Sequence, residues 1–247
     1  MDVVLKQDLA QFMPKLKSFM GKHADFAIAR TLTKVGAEIK QANTAEMRRV
    51  FVNPTPYTMN SLYLKPATKK SLVARVWLKD DFGKGTPAAK YLSAQILGGQ
   101  RNTKRIERLL SARGYLPQGK AIAPGSGAAL DNYGNLSRGQ YSKILSQLKA
   151  NFDPYQNQTT ASRKRRRKKA GPEYFVGTPG TNGRLGNGVW ARYQFASGSA
   201  VKPVLMFIDM PNYKRRWDFY GVAQRTYERV IGQHLMESVR IAMATAR

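Results

Sequence analysis

Cysteine is missing from this chain of 247 residues, and histidine is almost missing, with only His23 and His234 present. Without thiols there is no disulfide framework and no thiolate metal site, which fits a reducing compartment. The two histidines lie far apart on segments with helical spacing, so neither predicts a catalytic or metal-binding residue. No Gly-x-Ser-x-Gly element occurs either. The sequence therefore predicts that the protein is not an enzyme and needs no cofactor or metal.

Long apolar runs are also missing. Nowhere do about 18 apolar residues follow one another, which is the least that a membrane-spanning helix needs. The first residues, MDVVLKQDLAQFMPKLKSFM, include Asp2 and Asp8 and lack the unbroken apolar stretch of a secretory signal. We therefore expect no membrane partner and a protein that is made and folds in a cytoplasm.

Acidic residues are scarce, because 15 Asp and Glu stand against 42 Lys and Arg, for a formal net charge of +27. One run contains seven consecutive cations: Arg163, Lys164, Arg165, Arg166, Arg167, Lys168 and Lys169. A smaller cluster consists of Lys214, Arg215 and Arg216. No core can bury the long run, so it is either a solvated loop or in contact with a polyanion. DNA, RNA, an anionic membrane and an acidic protein surface are the candidates, and nucleic acid is the commonest.

The apolar residues, 42% of the chain, are sufficient for a real core, and their spacing predicts an α+β fold. Helical spacing covers residues 2–20, 26–50, 88–97, 102–113, 136–149 and 217–247. Alternating patterns predict strands at residues 62–65, 72–79, 173–177, 189–195 and 201–208. We expect an antiparallel sheet packed by the long N-terminal and C-terminal helices.

The organisation predicted along the chain is one domain over residues 1–247. A helical and loop insert occupies residues 80–150 of it, including an irregular connection at 114–136 that is rich in glycine and proline. A flexible basic loop follows at residues 151–172, where apolar residues are few.

Two further patterns have a functional and a structural interpretation. Glycines at 177, 180, 183, 186 and 188 resemble a phosphate-binding loop, but they lie between two predicted strands, which favours a wide hairpin loop. Asp80 and Asp81 are candidates to bind magnesium together with Glu107 or Glu173, as in a nuclease. Turn formation is the commoner role of such aspartates.

The three tryptophans, Trp77, Trp190 and Trp217, are candidates for base stacking in a single-strand binder. For Trp77 and Trp190, a packed layer between helix and sheet is equally compatible with the pattern. Trp217 begins a long apolar helical stripe, which favours a place in the core.

Several segments resemble phage minor tail proteins. The strings are AAKYLSAQILGGQRNTKRIERLLSARGYLPQGKAIAPG and, after it, LDNYGNLSRGQYSKILSQL. The segment KVGAEIKQANTAEMRRVF, before a strand pair, is similar to the start of the lambda-type minor tail protein Z family. The end, GVWARYQFASGSAVKPVLMFIDMPNYKRRWDFYGVAQRTYERVI, looks like the strand, turn, strand and helix that close the wider tail-completion group. Together the segments cover most of the chain, and none is a catalytic motif.

The resemblance implies a structural virion protein of the tail or neck, assembled in the host cytoplasm. Such a protein completes the tail tube and joins it to the capsid connector. Tail tube, terminator and connector proteins would be its partners, with the tape-measure protein and genomic DNA in the lumen as further contacts. A homo-oligomeric ring, a hexamer, is the implied assembly. Two alternatives are a sequence-independent nucleic-acid-binding protein that uses the basic loop and a metal-dependent nuclease.

Overall fold

The computed structural model describes residues 2–5, 13–80, 85–169, 171–180 and 185–245. Their contacts divide the chain into two compact units. The first unit combines Met1–Gly99 with Tyr213–Arg247, and the second is Gln100–Asn212. The second unit is therefore inserted in the sequence of the first.

The elements follow one another in mixed order. The helices are α1 (Met13–Met20), α2 (Ala24–Val50), α3 (Pro56–Met59), α4 (Ala88–Leu97), α5 (Arg105–Ala112), α6 (Arg138–Gln147), α7 (Thr160–Lys168) and α8 (Phe219–Ala244). The strands are β1 (Asp2–Leu5), β2 (Leu62–Lys65), β3 (Ala74–Leu78), β4 (Gly99–Gln100), β5 (Lys120–Pro124), β6 (Glu173–Gly177), β7 (Gly188–Phe195), β8 (Gly198–Asp209) and β9 (Asn212–Tyr213). Short 3-10 turns occupy Gly21–His23 and Pro154–Gln156.

In the first unit, α2 packs along α8 and against an antiparallel sheet with the order β1-β3-β2. The alternation along β3 buries Ala74, Val76 and Leu78 on the face toward α2. The helix approaches this sheet closely at Gly36, where a Cβ atom would lie 2.8 Å from Leu64 Cδ1. One apolar cluster joins α2, α8 and β3, and a second contains Met47, Leu62, Leu78, Leu92, Ile96, Trp217 and Phe219.

In the second unit, four antiparallel strands form a sheet with the order β5-β8-β7-β6. Helices α5 and α6 contribute Leu109, Leu110 and Ile144 to one core with Val189 and Leu205 of the sheet. Strand β6 is an edge of this sheet, and α7 precedes it directly in the chain.

The predicted α+β fold is confirmed, with antiparallel sheets and long helices in the N-terminal and C-terminal parts. The predicted hairpin between β6 and β7 is also confirmed, because Gly177 pairs with Gly188 across the glycine-containing segment. Residue 183 of that segment lies outside the described residues.

Several elements differ from the sequence prediction. Residues 2–5 are a strand and not the start of a helix, because Val3 pairs with Val76 of β3 and tertiary pairing overrides the helical spacing. The irregular connection at 114–136 contains β5, whose Ile122 is opposite Phe207 of β8. The second compact unit, Gln100–Asn212, contains β5 together with β6, β7 and β8 in one sheet.

Candidate polyanion-binding helix

The seven-cation run lies on a helix. Residues 151–172 were expected to be flexible, but α7 covers Thr160–Lys168 and contains most of the run. A capping box begins the helix: Thr159 Oγ1 accepts from the Ser162 N–H at 3.2 Å, and Ser162 Oγ accepts from the Thr159 N–H at 2.9 Å. The cations fill the last turn, where positive charge interacts favourably with the helix dipole. Most of the segment that was predicted to be a loop and contains the run is therefore a helix.

Two members of the run hold the helix in place. Arg163 Nη2 and Arg166 Nη2 lie 3.4 Å and 3.5 Å from the same atom, Glu173 Oε1, at the first residue of β6. Their spacing of three residues places both on one face of α7. Arg166 is the more buried, with 13% of its side chain exposed, and its Nη1 donates to the Pro172 carbonyl at 3.1 Å.

The segment that receives these arginines is itself fixed to α6. Gln147 Oε1 accepts from the Tyr174 N–H at 2.9 Å, and Gln147 Nε2 donates to the Pro172 carbonyl at 3.2 Å. Gly171 leaves room for the arginine, because a Cβ atom there would lie 3.0 Å from Arg166 Cγ. The helix is thus attached to the sheet edge through side chains that the sequence does not show to be close.

The other five cations of the run, Lys164, Arg165, Arg167, Lys168 and Lys169, are exposed. We call them the cationic surface of α7. A helix rises about 1.5 Å per residue, so the backbone positions of these residues span only about 8 Å along its axis. Such a concentration of uncompensated charge attracts a polyanion and releases its counterions on binding.

The second predicted cluster, Lys214, Arg215 and Arg216, lies in the first unit. Two of its side chains bind other groups of the chain. Arg215 forms an ion pair with Asp218, and Arg216 Nη2 donates to the Val50 carbonyl at 3.1 Å. Lys214 is exposed. Burial opposes ionisation of Asp218, but the Gly221 N–H and the nearby arginines outweigh it and lower the pKa of this carboxyl. This cluster is therefore a weaker candidate than α7.

The carboxylates predicted for a magnesium site are engaged elsewhere. Asp80 accepts a long hydrogen bond of 3.4 Å from Trp77 Nε1, while Asp81 lies outside the described residues. Glu173 holds the two arginines of α7, and Glu107 is buried in the second unit. Within the described ranges, no group of three acidic or histidine side chains is placed to hold a metal ion.

Glu107 forms a buried network that sequence reasoning missed. Its carboxylate accepts from Arg101 Nη1 at 2.9 Å and Arg101 Nη2 at 2.5 Å, and from the N–H groups of Ile122 and Lys104 at 3.0 Å and 2.6 Å. Burial opposes ionisation, but these hydrogen bonds outweigh it and lower the pKa of Glu107. A glutamate in the first turn of a predicted helix was the available signal. The network joins α5 to β5 and is structural.

The tryptophans are mostly committed to packing. Trp217 is fully buried, and its Nε1–H donates to Asn43 Oδ1 at 3.1 Å, as its predicted core position requires. Trp190 Nε1–H donates to the Gly186 carbonyl at 3.0 Å. Trp77 is half-buried, with the Arg75 guanidinium 4.7 Å from its ring centroid. Trp217 is thus part of the core, and Trp77 and Trp190 are only partly exposed.

None of the described helices combines the length and hydrophobicity that crossing a bilayer requires. Comparison of the chain with protein-family models, with curated proteins and with solved structures found no match.

Proposed function

We propose that this chain is a non-enzymatic structural protein of a phage virion that contacts polyanion through the cationic surface of α7. Its place is the tail or the head–tail junction, where it completes the tail tube and joins it to the capsid connector. The single observation that carries the polyanion contact is the exposed array of five cations, four on α7 and the fifth, Lys169, at its C-cap. The resemblance to minor tail proteins supports the assignment to the virion.

The assembly that fits this role is a homo-oligomeric ring, a hexamer in register with the tail tube. Tube, terminator and connector proteins are the proposed neighbours, and the tape-measure protein and the genomic DNA are the proposed occupants of the lumen. A basic ring would attract acidic protein rims and steer their approach.

The polyanion contact is tested by neutralising the cationic surface alone. Changing Lys164, Arg165, Arg167, Lys168 and Lys169 to Gln leaves Arg163 and Arg166 in place to anchor the helix. The net charge falls by five, from +27 to +22. We expect the plot of log affinity for duplex DNA against log salt to become shallower by about 3–5, because each lost phosphate contact removes about 0.9 from the slope.

A matched control removes equal charge elsewhere. Lys34, Arg48, Lys70, Arg229 and Arg240 are exposed cations of the other unit, and their joint change to Gln gives the same net charge. We expect this control to keep most of the wild-type salt slope. Equal losses in the two variants would show that overall charge, and not α7, provides the contact.

A second candidate function is a sequence-independent nucleic-acid-binding protein outside any particle. The same cationic surface favours it, so DNA affinity alone does not separate the two. The mass of the purified chain in solution does, because a ring-former gives an oligomer and a free binder a monomer. In a phage that encodes the chain, its deletion should leave capsids and tails unjoined or tails of irregular length in negative stain. Normal particles without it would refute the virion role.

A further inference from the structure

A loop beside α7 holds two large aromatic side chains in solvent. Phe152 is 74% exposed and Tyr155 is 98% exposed. Apolar rings in water lose the free energy that burial provides, so two neighbouring exposed rings indicate a surface that meets a partner. Sequence reasoning looked for stacking rings only among the tryptophans and missed this pair.

The loop that carries the rings has a defined, hydrogen-bonded structure. Asn151 Nδ2 donates to the Gln156 carbonyl at 3.2 Å, and the Asn151 N–H donates to Asn157 Oδ1 at 3.2 Å. Asp153 Oδ1 accepts from the Tyr155 N–H at 3.0 Å and caps the 3-10 turn. Since the backbone is already ordered, presenting the rings to a ligand costs little further conformational entropy.

The aromatic loop and α7 border one cleft of about 460 Å³. Gln156 and Gln158 line it from the loop, Ser162 and Arg166 from α7, and Lys143 from α6. The lining includes no carboxylate. The cleft shows that the loop lies next to α7, and the two charged side chains among its described lining residues, Lys143 and Arg166, are cationic.

We propose that Phe152 and Tyr155, together with the cationic surface of α7, bind a nucleic-acid strand with unpaired bases. The cations contact the phosphates and the rings stack on the bases, as in sequence-independent single-strand binding. The inference rests on the proposed polyanion contact of α7 and adds the class of ligand. The cations alone would bind any polyanion, including an acidic protein. An acidic protein surface, however, has few flat rings on which two exposed aromatic side chains could stack. A strand with unpaired bases provides phosphates for the cations and flat rings for the aromatic side chains.

The test compares two ligands on the full chain. Fluorescence anisotropy measures its affinity for a labelled oligothymidine and for a DNA duplex of equal length, each at two salt concentrations. Changing Phe152→Ala and Tyr155→Ala together should weaken oligothymidine binding at least about 30-fold, because the loss of each stacked base costs at least about fivefold in affinity. Duplex binding should change less than about twofold, because the base faces of a duplex are stacked on one another. The salt slope should stay the same, because neither side chain is charged.

Phe195→Ala is the matched control, since Phe195 is a 60% exposed phenylalanine of the same unit on β7. It should leave both affinities unchanged. A Tyr155→Trp variant adds a direct readout: oligothymidine should quench the emission of the new indole, and the duplex should not. The high exposure of both rings predicts unchanged melting temperatures for all these variants.

Two outcomes separate the failure of this inference from that of the proposed function. If the wild-type chain binds DNA with a steep salt slope but the alanine pair loses no oligothymidine affinity, the aromatic contact is wrong and the polyanion contact stands. The same holds if single strand and duplex lose affinity equally. If the wild-type chain binds neither oligothymidine nor duplex DNA, both the aromatic contact and the nucleic-acid contact of α7 are refuted.

Discussion

Removing Glu107 should cost more stability than removing any exposed acidic residue of its unit. Its side chain is fully buried, and its carboxylate accepts four hydrogen bonds. Glu107→Ala leaves the Arg101 guanidinium, with only 12% of that side chain exposed, without its counter-ion. The backbone N–H groups of Lys104 and Ile122 lose their acceptor as well. Breaking one partner of a buried pair costs about 3–5 kcal/mol, and the lost backbone acceptors favour the upper half of that range.

The assay is urea unfolding followed by circular dichroism. Asp209→Ala is the control, because Asp209 pairs with Lys120 at 2.7 Å on an exposed surface of the same unit. That loss should stay below about 1 kcal/mol. Combining Arg101→Met with Glu107→Leu should recover part of the loss, since no buried charge is then left unpaired. If Glu107→Ala costs no more than Asp209→Ala, the network does not stabilise the unit and the reasoning is refuted.

The same network predicts how stability depends on pH. The folded state lowers the pKa of Glu107, so the unfolded state binds its proton more tightly. The contribution of ionised Glu107 to the free energy of unfolding is therefore complete above the pKa of the unfolded state, about 4.3. It is lost as pH falls through the lower pKa of the folded state. The stability difference between wild type and Glu107→Gln should shrink on acidification below about pH 4. A difference that grows in acid would contradict the lowered pKa.

Three further predictions concern the space around two glycines and the anchoring of α7. Gly188→Ala should cost at least about 2 kcal/mol in urea unfolding, because its Cβ would lie 2.4 Å from the Leu205 carbonyl oxygen. Gly139→Ala, which points into open space near the start of α6, should instead stabilise by about 0.4–1 kcal/mol. Glu173→Gln removes the shared partner of two arginines, so limited trypsin digestion should cleave residues 163–169 faster than in wild type. Equal cleavage rates would show that the ion pairs do not hold the helix.

The long, regular elements could be predicted from the sequence because local pattern and tertiary structure agree there. Helix α8 carries a continuous apolar stripe and begins after Asp218, whose side chain accepts from the Gly221 N–H. Strand β1 could not be predicted, because its short apolar run fits helix and strand alike. Its pairing with β3 determines that the segment is a strand. A single sequence does not show which strand a short segment will pair with.

The candidate site was half predictable for a similar reason. Charge density alone identifies residues 163–169, because such a run must remain in contact with water or polyanion. Which of its members bind Glu173, in the strand that follows, could not be predicted from the sequence. The exposure of Phe152 and Tyr155 could not be predicted either. An aromatic residue in a polar stretch of sequence is compatible both with packing in a core and with exposure to solvent.

The arrangement of α7 explains why a cation run would be built into a helix and not left as a flexible tail. Like charges four residues apart repel one another by a few tenths of a kcal/mol per pair, so the run opposes its own helix. Arg163 and Arg166 oppose that repulsion by binding Glu173, and the remaining five cations are exposed. A flexible tail would lose conformational entropy each time it bound, whereas an anchored helix has already lost it on folding. If α7 contacts a nucleic-acid strand as we propose, Arg163 and Arg166 serve to anchor the helix while the other five cations face the phosphates.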